Sequence, residues 1–68
     1  MYIMKEETKK ILSDRNLSAI GRTIGVNYNK ISSMIKKGEP CIKKNAYCLT
    51  KYLDANKEIE DYFIKLEK

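Results

Sequence analysis

Between residues 16 and 38 the chain reads NLSAIGRTIGVNYNKISSMIKKG, a stretch rich in hydrogen-bonding and cationic side chains with no acid among them. Arg22, Lys30, Lys36 and Lys37 supply positive charge, and Tyr28, Asn29, Ser32 and Ser33 supply neutral donors and acceptors. Carboxamides and hydroxyls read hydrogen-bonding edges, while fixed cations neutralise phosphate. The chemistry on offer is recognition of a long, regular anion rather than bond making. An enzyme lacks its parts: there is no histidine, no metal-ligand cluster and no nucleophile with a base at a recognisable spacing. No metal, cofactor or catalytic role is expected.

The elements that must position these groups can be read from spacing. Leu17, Ile20, Gly21 and Ile24 fall at i, i+3, i+4 and i+7, one face of a helix over 17–24, with Asn16 as its N-cap. Gly25 is placed to end it in a left-handed conformation. Val26 follows as an apolar plug, and Asn27 can cap a second helix over 28–37 whose inward face is Ile31, Met34 and Ile35. Gly38 and Glu39-Pro40 stop that helix. A side chain at position 21 would face the second helix, so glycine there permits close approach. An ordinary pair of packed helices could share these stops, but a merely solvated surface normally mixes Glu with Lys. This one does not.

The rest of the 68 residues reads as further short helices. Met4, Thr8, Ile11 and Leu12 predict one over about 4–15; Ile42, Ala46, Leu49 and Leu53 predict one over 42–53. Ile59, Tyr62, Phe63 and Leu66 form the stripe of a last helix over about 57–67. Period-2 alternation is not evident, so the expected fold is all-α: one five-helix domain over 1–68. Hydrophobic residues at 43% and charged residues at 34% suit a globular domain, and no apolar run suits a membrane span or a secretion signal. A cytoplasmic protein of a bacterial or phage-infected cell is the expectation. Cys41 and Cys48, if both lie on one helix, sit about 10 Å apart, too far for a disulfide.

Net charge is +5, but it is unevenly placed. Lys43, Lys44 and Lys51 continue the basic middle, whereas Asp54, Glu58, Glu60, Asp61 and Glu67 make the end acidic. Such a chain is oriented rather than a generic polyanion binder.

The segment RNLSAIGRTIGVNYNKISSMIKKG resembles the helix-turn-helix of the phage repressor/Cro-type family, the λ-repressor-like or XRE class. The resemblance covers about residues 5–54 and is strongest from Asn16 to Gly38. It implies a five-helix domain whose third helix enters the major groove, usually as a dimer on a palindromic operator. By position it implies phosphate contact for Asn16 and Leu17 at the start of the second helix. It puts Asn27, Tyr28, Asn29 and Ser33 at the base-facing start and middle of the third helix, and Lys36, Lys37, Lys43 and Lys44 near the backbone. Tyr28 stands where the family often has Gln, Gly21 where Ala is usual, and no Glu precedes Gly38.

Side-chain chemistry refines the expected roles. Asn29 can pair bidentately with adenine, and Ser32 and Ser33 discriminate weakly. Tyr28 can stack on a sugar, touch a thymine methyl, bond a phosphate or pack over Val26. Lys30 can reach guanine or phosphate, and Arg22 joins the four later lysines on phosphates. In the last helix, Ile59, Tyr62, Phe63 and Leu66 either complete the core or form a homodimer or partner interface. The reading is a sequence-specific, operator-binding transcriptional regulator, a Cro-like repressor. The rival is an antirepressor or modulator that binds a partner repressor, favoured by the acidic last segment.

Overall fold

Two short extended segments far apart in the sequence pair with each other. Residues Tyr2–Met4 form strand β1 and Phe63–Lys65 form β2, an antiparallel ribbon with Tyr2 opposite Lys65, Ile3 opposite Ile64 and Met4 opposite Phe63. Five helices lie between: α1 (Glu6–Ser13), α2 (Leu17–Ile24), α3 (Tyr28–Lys36), α4 (Lys43–Leu53) and α5 (Ile59–Tyr62). The computed structural model describes residues 1–66. The fold is mostly helical but not all-α.

Two expectations fail at the ends for one reason. The helix predicted from Met4 starts at Glu6, and the helix predicted over 57–67 stops at Tyr62. Phe63 is extended, with φ −131° and ψ 158°, so the stripe Ile59, Tyr62, Phe63, Leu66 is not one helical face. Residue 67 lies outside the described residues. Pairing between positions sixty residues apart leaves no local trace, and three-residue strands are too short to show alternation. The ribbon is tied to the helices by Tyr62, whose carbonyl accepts from the Lys5 N–H at 3.0 Å and from the buried Thr8 hydroxyl at 2.8 Å.

Cys41 is not helical either. Tyr2 and Cys41 exchange backbone hydrogen bonds of 2.8 and 2.7 Å, which sets a third extended segment beside β1 before α4 begins. Cys41 and Cys48 are free thiols. Ile42, expected on the α4 stripe, is instead its exposed N-cap residue.

The core gathers one or two residues from every element: Met4 and Phe63 from the ribbon, Leu12 from α1, Ile20 from α2, Ile31 and Met34 from α3, Ala46 and Leu49 from α4, Ile59 from α5. The α2 and α3 boundaries follow the sequence signals within a residue. Gly25 takes φ 74° and ψ 31°, the left-handed region that favours glycine. The Gly21 carbonyl accepts from both Gly25 N–H (2.8 Å) and Val26 N–H (3.0 Å), turning the chain back over α2. A Cβ at position 21 would then lie 2.5 Å from the Val26 carbonyl oxygen, which is backbone and cannot swing aside.

Gly21→Ala should therefore destabilise the fold by about 1–2 kcal/mol, because overpacking against backbone outweighs alanine's better helix propensity. Urea denaturation monitored by circular dichroism measures this; a gain of about 1 kcal/mol, the propensity effect alone, would contradict the close approach.

Candidate nucleic-acid interface

Helix α3 is fixed by its inner side. Ile31 and Met34 are buried and Ile35 packs half-buried beside them. At 100° per residue the opposite ridge carries Asn29, Ser32, Ser33 and Lys36. Asn29 and Lys36 are exposed, and the two serines are half-buried. Lys37 follows as the exposed C-cap residue. Lys30 is exposed but lies on the flank, beside Met1 and Cys41 rather than on the ridge.

Where α2 meets the start of α3 there is a shallow notch of about 290 Å³ lined by Ser18, Gly21, Arg22, Val26, Asn27 and Tyr28. Both helices begin without an acid in the first turn, so the partial positive charge of their leading N–H groups is uncompensated. Arg22 and Ser18 stand one helical turn apart on the exposed side of α2. Tyr28 lines the notch with Val26 yet is 46% exposed, so packing over the turn and contact with a ligand are compatible. Ser18 was not among the residues expected to bind, although its i,i+4 relation to Arg22 was visible in the sequence.

The two capping asparagines are partly committed. The Asn16 Oδ1 accepts from Ala19 N–H at 3.1 Å, and the Asn27 Oδ1 accepts from Asn29 N–H at 2.7 Å. Each keeps its NH₂ group as a donor, suited to phosphate oxygen. Asn27 thus sets the first turn that presents Asn29. Leu17, expected at the same helix start as Asn16, is half-buried and packs on the core, leaving its backbone N–H as the group that can face an anion.

Cations lie in the last turns of α2 and α3 and at the start of α4. Arg22, Lys36, Lys37, Lys43 and Lys44 are exposed, and among the described residues none has a carboxylate within ion-pair distance. Lys9 differs, being paired with Glu6 at 3.0 Å. Lys51 differs too: its Nζ donates to the Ala55 and Lys57 carbonyls at 3.3 and 2.8 Å, closing the α4–α5 loop. Charge alone does not separate these roles; geometry does.

The expected interface residues of the last segment divide as well. Ile59 and Phe63 are buried within the chain and Tyr62 packs half-buried against the core. Only Leu66 offers substantial surface. Glu58, Glu60 and Asp61 are exposed around α5, whose main neighbours are α4 and β2. Burial pushes the Cys41 thiol up, against the opposing pull of the α-amino group and Lys30, so it stays protonated at neutral pH. No helix among the described residues is long and apolar enough to cross a membrane. The chain matches no protein-family model, no curated protein and no solved structure.

Asn27→Ala should lower stability by about 1 kcal/mol through loss of the cap, whereas Asn27→Ser should retain most of it. Equal denaturation midpoints for Asn27→Ala and the parent chain would contradict the capping role.

Proposed function

We propose that this chain is a double-stranded-DNA-binding transcriptional regulator, a Cro-like repressor that acts by occupying its operator. The observation that carries the reading is the exposed surface of α2, the turn and α3. It is free of acids, centred on neutral hydrogen-bonding groups and bordered by unpaired cations. A helix of nine residues held by one apolar edge leaves Asn29 and Lys36 exposed on the opposite ridge, with Ser32 and Ser33 half-buried between them, an arrangement that suits entry into a major groove.

Roles follow from position. Asn29 reads a base edge, with Ser32 and Ser33 as weaker readers deeper on the same ridge. Arg22, Ser18, the Asn27 NH₂ and the Tyr28 hydroxyl hold one phosphate at the notch. Asn16 and the leading N–H groups of α2, Leu17 included, face the backbone on the same side. Lys36 and Lys37 hold the backbone beyond the end of α3, and Lys43 and Lys44 extend that contact at the start of α4. Lys30 reaches backbone from the flank. The resemblance to the phage repressor/Cro-type family supports the same assignment, and the acidic surface around α5 belongs away from DNA.

The test is binding to duplex DNA flanking the protein's own gene across a salt series. Affinity should fall steeply with salt, with a log–log slope of about −5 per copy if these six cations meet phosphates. Asn29→Ala should lose about 1–3 kcal/mol of discrimination at one base pair, whereas Lys36→Ala should weaken all sequences alike. No sequence-specific complex at low salt, together with stable capture of a partner repressor, would favour the modulator reading instead.

A further inference from the structure

Helix α4 is held in the core by Ala46, Leu49 and Thr50, all buried. At 100° per residue, Lys43, Lys44, Tyr47 and Lys51 fall within a sector of roughly 100° turned away from Leu49. No acidic residue occurs in α4. Glu39, just before the helix, lines a cleft with Ile42 and Asn45, and Asn45 lies about 160° round the axis from Tyr47. Tyr47 is 51% exposed, yet its ring is braced. The Lys51 Nζ lies 5.5 Å from the ring centroid, and that ammonium is itself fixed by the Ala55 and Lys57 carbonyls. Helical side chains lean towards the N-terminus, so the ring covers the turn that carries Lys43 and Lys44 rather than the turn beyond it. A fixed cation thus stands behind the phenol, and two exposed lysines without a carboxylate partner stand ahead of it.

We propose that Tyr47 is a further DNA contact, its hydroxyl donating to the phosphate that Lys43 and Lys44 hold, with Lys51 as the positioning residue that braces the ring. This rests on the reading of the chain as a duplex-DNA binder. Tyr47 supplies what the lysines cannot. An ammonium on a flexible four-carbon stem neutralises a phosphate without fixing where it sits. A braced phenol is a directional donor that loses little side-chain freedom on contact. Because the phenol carries no charge, its contact adds affinity without releasing a counterion, and it serves every sequence alike. Lys51 behaves the same way, since its charge is spent on the two loop carbonyls and the ring. The α4 contact therefore has a charged part that salt screens and a neutral part that salt leaves alone. Tyr52, the other exposed aromatic residue of α4, lies about 140° round the axis and takes no part.

Fluorescence anisotropy with labelled duplex DNA, from beside the protein's own gene and from an unrelated sequence, tests this across a salt series. Tyr47→Phe keeps the ring and its cation, and should raise Kd about 3–10-fold on both duplexes with the salt slope unchanged. Lys44→Ala should instead reduce the slope by about 1. Lys51→Met should weaken binding as Tyr47→Phe does, again at constant slope, and Lys51→Arg should retain the parent affinity. The Tyr47→Phe and Lys51→Met losses should not add, because both act through one hydroxyl. Equal Kd values for Tyr47→Phe and the parent overturn the Tyr47 contact alone and leave the DNA-binding reading standing. So does a Tyr47→Phe loss confined to one duplex or accompanied by a change of slope. Additive losses overturn the bracing role of Lys51. A parent chain that binds neither duplex overturns both this proposal and the reading beneath it.

Discussion

The turn between α2 and α3 closes on the Gly21 carbonyl. It accepts two backbone N–H groups, from Gly25 and Val26, and in doing so draws the Val26 carbonyl to where a side chain on residue 21 would stand. Two glycines are needed for different reasons: Gly25 for a left-handed backbone, Gly21 for the lack of a Cβ. Once the turn is closed, Ile20, Ile31 and Met34 meet in the core and the rotation of α3 about its axis is set. Asn29 and Lys36 then face outward because Ile31 and Met34 face in. The candidate surface is thus a consequence of packing on the other side of the same helix.

The ribbon performs the matching task for the rest of the domain. It joins residues 2–4 to residues 63–65, and through Tyr62 it anchors α1 by the Thr8 hydroxyl. Sixty-eight residues bury a modest core, and the long-range pairing ties β1 and β2 to it. The same pairing has a cost. Three short extended segments side by side present apolar residues on both faces, and only one face has a core to cover it. The Met1, Ile42 and Ile64 surface is what remains.

Legibility in the sequence followed contact range. Helices α2 and α3, their caps and the two glycines were readable, because periodicity, capping and turn chemistry act over a few residues. The acid-free surface was readable for the same reason. The strands were not, since Ile3 and Ile64 acquire their meaning only from each other. Ile59 and Phe63 could be read as either core or interface, and the structure buries both. Among the cations, sequence could not distinguish Lys51, which closes a loop through two carbonyls, from Lys43 and Lys44, which stand free. Nor could it show that Asn27 spends its carbonyl on the next turn of backbone before it meets any ligand.

The central claim is that one face, made by α2, the turn and α3, is the surface that meets DNA. Amide chemical-shift mapping during titration with a short duplex at low salt addresses it residue by residue. The account predicts shifts concentrated in Asn16–Arg22 and Asn27–Lys37, with weaker changes at Lys43 and Lys44 and little at α5 or β2. Shifts centred on Glu58–Leu66, or none at all, would contradict it.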